Sequence, residues 1–371
     1  MRQLADHIRV GMTTSLSGRY APQGQQALIG IQTWVEDTNR RGGMQGGEQL
    51  LPVRLIYHDD ASDAAQCGIL TERLITVDRV DILLGPYSSG LALRAASVAN
   101  HHRHVLWNHG GALETTSVPD PGWTIGLLTP APHYFVGIID LVWHASAAAS
   151  HIAIIYSTAG AFPQAVAAGA AQYGRARGFE TVQMYPYPAR TTDFTSILTQ
   201  LAHDPPHLLL SVGRIEDDLH FARQYVHSPL RAKIVGLIVT PLSLFRDTLG
   251  DAAGLFLGPS QWEPGIVSRP DYGPTAAEVL QHLTAYASHG IDYPMAQAYA
   301  GGLVAQRCVE AAGTLKQHAL RQAAHRLDFT TFYGRYRLDP GTGRQVGHHM
   351  PVVQWQGSRK VILWPPQSTP G

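Results

Sequence analysis

The fold of this chain is decided by two short stretches, Leu83-Leu-Gly-Pro-Tyr-Ser-Ser-Gly-Leu-Ala92 and His104-Val-Leu-Trp-Asn-His-Gly-Gly-Ala112. Each contains an apolar run that is typical of a buried strand, followed by a tight turn rich in Gly and polar residues. Residues 91–100, between them, fit a helix. The two turns are therefore expected side by side at the carboxyl edge of one parallel sheet, where open α/β folds bind small ligands.

The first of these turns offers an anion site. Ser88 and Ser89 would present hydroxyl and backbone N–H groups at the N-terminus of a helix, where the helix dipole favours negative charge. The alternative is that either serine simply caps the helix and needs no ligand. The residues alone leave both alternatives open.

Composition and charge give no indication of a nucleic-acid-binding or membrane-spanning protein. The chain has 371 residues, enough for two cores, and its 28 Lys and Arg balance 28 Asp and Glu. This balance gives no electrostatic argument for nucleic acid or a membrane surface as a partner. No apolar run reaches the ~20 residues that span a bilayer, and residues 1–12 lack the apolar segment of a signal peptide. We therefore expect either a cytoplasmic protein or a mature form whose leader has been replaced by Met.

Strands alternate with helices along most of the chain. The alternation begins with strand Ile8–Leu16, breaks at a Pro-rich segment over residues 119–132, and restarts with a helix at residues 134–148. Such alternation predicts an α/β protein with two lobes, each built on a doubly wound parallel sheet.

The chain is expected to pass between the lobes more than once. Residues 123–129 and 254–264 are predicted crossover segments, and residues 329–338 are predicted as a closing strand. The predicted boundaries are residues 1–127 plus 259–336 for lobe 1 and residues 128–258 plus 337–371 for lobe 2.

The sequence contains no recognisable catalytic or cofactor motif. It lacks the G-x-S-x-G, Walker A, H-E-x-x-H and G-x-G-x-x-G patterns. Asp59, Asp60 and Asp63 could form a metal site, but an acid at this place is explained more simply as a helix N-cap. His348 and His349 point apart in extended chain, which argues against a shared metal. We therefore predict no metal, no cofactor and no enzymatic activity.

Five motifs occur in a characteristic order along nearly the whole chain. They are Ile8-Arg-Val-Gly-Met-Thr-Thr-Ser-Leu-Ser-Gly18, Asn39-Arg-Arg-Gly-Gly43, Asp59-Asp60, Gly85-Pro-Tyr-Ser-Ser-Gly90 and Ile152-Ala-Ile-Ile-Tyr156. Together they resemble the branched-chain amino-acid-binding (leucine/isoleucine/valine) family of type I periplasmic binding proteins, the solute receptors of ABC transporters. The resemblance implies two α/β lobes joined by three crossover segments, a ligand cleft between them, and hinge closure around the ligand. It also implies a periplasmic or extracellular receptor that serves ABC permease subunits, and we expect a monomer.

The resemblance implies that the two turns of the first lobe form part of the ligand site. The serine that receives the ligand carboxylate in this family corresponds to Ser89. In the next turn the family has a threonine where this chain has His109 and two glycines. Gln23 lies where the family places a loop residue over the cleft.

In the second lobe, the family's two aromatic contacts correspond to a position near Phe162 and to Arg214. The family's acid for the ligand ammonium falls near Ile238, in an apolar run. A buried ammonium without a partner would cost several kcal/mol, whereas Arg suits carboxylate recognition. We therefore expect a carboxylate or amide head on an apolar or aromatic body, with a branched-chain amino acid as the alternative. The predicted ligand-binding residues are Tyr87, Ser88, Ser89, Trp107, His109, Gly110, Gly111, Phe162, Arg214, Trp262 and Gln23.

Several of these residues have an equally simple structural explanation. Trp107 could belong to the core at a strand end, and Trp262 could pack at the hinge. Arg214 could pair with Glu216 or Asp217 at the start of a helix. At the level of function, the alternative to a transport receptor is a cytoplasmic amide or urea sensor on the same fold.

Overall fold

The computed structural model describes residues 6–47, 49–112, 122–146, 149–267, 269–286 and 290–366. The α-helices in these ranges are α1 (Ala21–Arg40), α2 (Ala64–Thr76), α3 (Ser89–His102), α4 (Val136–Ala145), α5 (Ala161–Arg177), α6 (Thr195–Ala202), α7 (Ile215–His227), α8 (Ser243–Leu249), α9 (Ala276–Thr284), α10 (Tyr293–Ala312) and α11 (Gln317–Arg326). None of these helices combines the length and the apolar character that crossing a membrane requires.

The strands follow the same chain order. They are β1 (Ile8–Thr14), β2 (Met44–Gly46), β3 (Gln49–Leu51), β4 (Val53–Asp59), β5 (Ile82–Leu84), β6 (Leu106–Asn108), β7 (Thr124–Gly126), β8 (His151–Ser157), β9 (Thr181–Tyr187), β10 (Leu208–Val212), β11 (Ile234–Leu237), β12 (Phe256–Pro259), β13 (Asp328–Thr331), β14 (Gly334–Arg337), β15 (Val352–Gln356) and β16 (Arg359–Trp364).

The chain divides into two compact units. Unit 1 comprises Met1–Thr129 and Pro264–His349, and unit 2 comprises Pro130–Glu263 and Met350–Gly371. The chain therefore passes from one unit to the other three times. The last passage follows His349, later than the expected division after residue 336, because Leu338 bridges back to Gln345 within unit 1.

Unit 1 is built on a five-stranded sheet in the order β4-β1-β5-β6-β7, and all neighbouring strands are parallel. Ile8, Val10 and Met12 of β1 are completely buried. Helices α1 and α2 both pack on β1, and α1 also packs along α10. The α/β prediction is confirmed for this unit.

Unit 2 is built on a seven-stranded sheet in the order β16-β15-β12-β11-β10-β8-β9. The five strands from β12 to β9 are parallel, whereas β15 and β16 add to the β12 edge in antiparallel fashion. Residues 152–155 of β8 are completely buried, as an apolar run in a parallel sheet requires. The α/β prediction is confirmed here as well.

Two segments differ from their predicted structure. Residues 123–129 were expected to be a crossover, but Thr124–Gly126 forms edge strand β7, in which Ile125 is buried beside Trp107 of β6. Residues 329–338 were expected to be one strand, but they belong to a hairpin of β13 and β14. Both elements are too short to display a period of two in the sequence.

Candidate ligand-binding site

The two turns that the sequence singles out are joined to each other in unit 1. The Ser88 N–H donates to the Gly110 carbonyl at 3.0 Å, and the Gly85 N–H donates to the Trp107 carbonyl at 2.9 Å. Gly110 lies so close to Pro86 that a Cβ atom at this position would overlap the Pro86 carbonyl oxygen. The turns after β5 and β6 therefore form one continuous backbone surface at the carboxyl edge of the sheet.

Ser88 and Ser89 have different structural roles. Ser88 is the N-cap of α3, and its Oγ accepts the Leu91 N–H at 3.4 Å. Ser89 Oγ accepts the Ala112 N–H at 3.1 Å and ties the start of α3 to the second turn. In the described part of the chain the Ser89 hydroxyl donates to no residue, so it retains a hydrogen for a ligand. The capping alternative holds for Ser88, whereas the ligand role of Ser89 stays a prediction.

Asn108, which the sequence analysis overlooked, shapes the second turn. Its Oδ1 accepts the Gly111 N–H at 2.9 Å and the Gly110 N–H at 3.3 Å, and its Nδ2 donates to the Gly111 carbonyl at 2.8 Å. A Cβ atom on Gly111 would overlap Ala92 of α3. The pair of glycines is thus required by close packing.

His109 is completely buried and packs against α10, where a Cβ atom on Gly301 would lie 3.1 Å from the His109 Cβ. Burial lowers the pKa of His109 to about 4, and the facing backbone carbonyl of Gly85 only partly opposes this. The imidazole is therefore neutral at physiological pH and provides no positive charge for a ligand carboxylate.

Three tyrosines lie together near the first turn. The hydroxyl oxygens of Tyr87 and Tyr293 are 3.2 Å apart, and the Tyr87 ring makes a T-shaped contact with Tyr20 at 6.3 Å. Burial raises the pKa of Tyr87 to about 12, so it stays protonated.

Trp107 lies inside the sheet, fully buried between its register partners Leu84 and Ile125, which fits the core alternative.

The acids after β4 serve the fold of unit 1. Asp60 accepts from Ser15 Oγ at 2.6 Å, and burial raises its pKa. Asp63 is the N-cap of α2, as the simpler alternative predicted, and accepts the Gln66 N–H at 2.8 Å. No group of His, Cys, Asp or Glu among the described residues could hold a metal ion.

Gln23, another of the predicted ligand-binding residues, is buried on α1.

In unit 2, Arg214 is separated from β10 by Gly213 alone and is the N-cap residue of α7. Its backbone N–H donates to Asp217 Oδ2 at 3.1 Å, so this acid binds the backbone of Arg214. The Arg214 side chain is half-buried and forms no ion pair with any described residue. The charge of Arg214 still acts on the Asp217 carboxyl, where it partly opposes the rise in pKa that burial causes, so the two groups interact without the short contact of an ion pair.

Two buried residues beside Arg214 escaped the sequence analysis. Asp218 is 1% exposed and accepts from Ser211 Oγ at 3.1 Å, and burial raises its pKa well above the usual range. Tyr187, at the end of β9, is also buried, and a Cβ atom on Gly213 would overlap its hydroxyl. Only the fold brings the side chain of Tyr187, across the end of β8, to the turn after β10, so the sequence carried no local signal for this pair.

The two remaining predicted residues lie elsewhere in unit 2. Phe162, at the start of α5, is half-buried and makes a T-shaped contact with Tyr134 at 5.2 Å. Trp262 is 1% exposed, and its carbonyl accepts from Ser260 Oγ at 2.8 Å. The neighbouring Glu263 forms a buried ion pair with Lys360 at 2.8 Å. Trp262 therefore belongs to a tightly held segment just before the second passage between units.

The model of the family described as "Periplasmic binding protein" matches residues 7–360 of this chain. Among curated proteins, Leu/Ile/Val-binding protein homolog 7 of Brucella abortus is 26% identical over 226 residues, which cover 58% of this chain and 55% of that protein. The chain spans between a quarter and somewhat more than half of the length of the curated relatives it matches.

Solved structures share the fold over nearly the whole chain. The branched-chain amino acid transporter substrate binding protein LivJ from Streptococcus pneumoniae, in complex with isoleucine, has a TM-score of 0.80 at 16% identity and covers 96% of this chain and 99% of its own. A solute-binding protein of an ABC transporter from R. palustris, in complex with benzoate, has a TM-score of 0.77 at 17% identity, with 96% and 95% covered. These likenesses confirm the two-lobed α/β fold.

Proposed function

We propose that this chain, which belongs to the periplasmic binding protein family, is the solute receptor of an ABC importer. It acts outside the cytoplasm, in the periplasm or at the cell surface, as a monomer that delivers a small ligand to the permease subunits. The proposal is supported by the family match over residues 7–360 and by the shared fold of solute-binding proteins of known structure.

We further propose a ligand with a carboxylate head and an apolar or aromatic body. The observation that carries this proposal is the Arg214 side chain, which is half-buried at the carboxyl edge of the unit 2 sheet and forms no ion pair within the described ranges. A guanidinium in this situation is well suited to bind a carboxylate through charge-assisted hydrogen bonds. Ser89 at the start of α3 offers a second anion-binding group in unit 1.

The acids near Arg214 argue against a ligand ammonium at this edge. Asp217 accepts the Arg214 N–H, and Asp218 accepts from Ser211 and from the backbone of Val239 and Gly213. The Asp218 carboxyl thus accepts from several donors of the protein, and Asp217 binds the start of α7 through the Arg214 N–H. A ligand ammonium placed here would be poorly paired, which is costly in a buried site.

A branched-chain or other amino acid is the second candidate ligand. It is favoured by the isoleucine bound in the LivJ structure and by the name of the Brucella abortus relative. The benzoate bound in the R. palustris structure favours the first candidate. Both neighbours have the same fold, so the choice between the candidates depends on the side chains of this chain.

A thermal-shift and calorimetric screen tests the proposal. We expect benzoate or 3-methylbutanoate to stabilise the protein by about 2.7 kcal/mol at one hundred times the dissociation constant, with a much smaller shift from benzamide and none from leucine. Ser89→Ala and Arg214→Ala should each weaken binding without unfolding the free protein. A response to leucine alone would favour the amino-acid receptor, and a response to amides or urea alone would favour the sensor.

A further inference from the structure

Tyr187 lies across the carboxyl edge of the unit 2 sheet. It is the last residue of β9 and pairs in register with Ser157 on β8, while β10 lies beyond β8 in the sheet. The phenol nevertheless reaches the turn after β10, because a Cβ atom on Gly213 would overlap its hydroxyl oxygen. Its ring is supported by Phe194 in a T-shaped contact at 5.0 Å. The side chain therefore spans the end of β8 and points at the Gly213 turn.

This placement brings a phenolic hydroxyl beside the residue that carries the guanidinium, because Gly213 immediately precedes Arg214. Burial, and next the charges of Asp218 and Asp217, raise the pKa of Tyr187, and the nearby Arg214 opposes this only in part. The phenol thus keeps its hydrogen at neutral pH and can act as a donor.

The hydrogen of this phenol remains available to a ligand. The buried Tyr187 hydroxyl has no hydrogen-bond partner among the described residues. Ser157 Oγ, on the neighbouring strand, accepts the Ala159 N–H at 3.3 Å. The neighbouring carboxyls accept from other donors, Asp217 from the Arg214 N–H and Asp218 from Ser211 Oγ. The edge thus presents two donors, one charged and one neutral.

We propose that Tyr187 donates a hydrogen bond to the ligand carboxylate beside Arg214 and is thereby a specificity-determining residue of this receptor. The inference rests on the proposed function, because it presupposes a carboxylate at this edge. A carboxylate supplies two acceptor oxygens for the two donors. An amide of the same shape has one oxygen and turns an NH₂ group toward a donor, which leaves a buried polar group unpaired. Tyr187 and Arg214 together therefore select acids over amides.

The test compares benzoate with benzamide, which have nearly the same shape, by calorimetry on the full chain. Tyr187→Phe removes the hydroxyl and keeps the ring, and we expect it to weaken benzoate binding roughly 10- to 100-fold with far less effect on benzamide. Tyr185→Phe is the matched control on the same strand, because the Tyr185 hydroxyl donates to Gln183 at 2.6 Å and serves no turn. It should leave the affinities for both probes unchanged.

Two results would overturn the inference while the proposed function stands. One is wild-type benzoate affinity in Tyr187→Phe, and the other is an equal loss for benzoate and benzamide, which would make Tyr187 a packing residue only. If the wild-type protein binds no carboxylate, the proposed ligand class fails and this inference fails with it. Should Tyr187→Phe not fold, Gly213→Ala displaces the same hydroxyl and must likewise reduce the preference for the acid.

Discussion

His109 is completely buried, and its pKa of about 4 lies below the value of about 6.5 that histidine has in an unfolded chain. As the pH falls from 6.5 toward 4, the unfolded chain binds a proton that the folded chain refuses, so stability decreases. We expect His109 to contribute about 2 kcal/mol to the loss of unfolding free energy between pH 7 and pH 5. Urea unfolding of wild type and His109→Asn at both pH values measures this contribution.

The matched control for this measurement is His203→Asn, because His203 is exposed. It should keep the pH dependence of the wild type, whereas His109→Asn should show a smaller loss of stability at pH 5. Equal pH dependence in wild type and His109→Asn would show that His109 takes up a proton in the folded state.

Among single residues, the sequence predicts helix caps well, but it does not predict contacts that form across a turn or between strands. An N-cap at Ser88 or Ser89 and another just before residue 64 follow from their place before a helical run, and the caps are Ser88 and Asp63. Asn108 and Tyr187 act through contacts across a turn and between strands. Such contacts depend on strand order and register, which no local pattern specifies. The ligand roles of the predicted site residues stay predictions.

At the scale of elements, the turns after β5 and β6 depend on a glycine at their point of closest approach. Gly110→Ala would place a Cβ atom on the Pro86 carbonyl oxygen and 2.7 Å from the Tyr87 Cα, which forces the turns apart. We expect a loss of about 1–3 kcal/mol in unfolding free energy, as for other overpacked sites, and a loss of ligand binding. Chemical denaturation and calorimetry measure the two effects.

Gly90→Ala provides the comparison, because a Cβ atom there meets nothing within 4 Å and Gly90 lies in the first turn of α3. Alanine at such a helical position should leave stability unchanged or raise it by up to about 1 kcal/mol. Equal effects of the two substitutions would contradict the role of Gly110 as the contact between the turns.

The elements that the sequence predicts well are the ones with long apolar runs or clear helix ends. β8 and α5 are of this kind, and α5 ends at Gly178 in left-handed conformation as its sequence suggests. β7 and the hairpin of β13 and β14 have strands of three or four residues. Their strand character comes from pairing with neighbours already in place, so hydrophobic periodicity had too few positions to reveal it.

At the scale of the whole molecule, the hinge closure that the family resemblance implies should change the radius of gyration when a ligand binds. A ligand that binds one arrangement better shifts the population toward it. We expect a saturating carboxylate to lower the radius of gyration in small-angle X-ray scattering. Arg214→Ala at the same ligand concentration should show no such decrease. A radius that is unchanged when wild-type protein is saturated would exclude a closure of detectable size.

The three passages of the chain between units also determine the order in which unit 2 can be completed during synthesis. β12 pairs with β11 on one side and with β15 on the other, although β15 begins only at Val352. Until the ribosome has released residues 352–364, β12 remains an open edge strand, and such an edge invites pairing with other chains. Unit 2 can therefore be completed only after residues 352–364 have been synthesised. Before that point, the nascent chain exposes a sheet edge that is open to pairing with other chains.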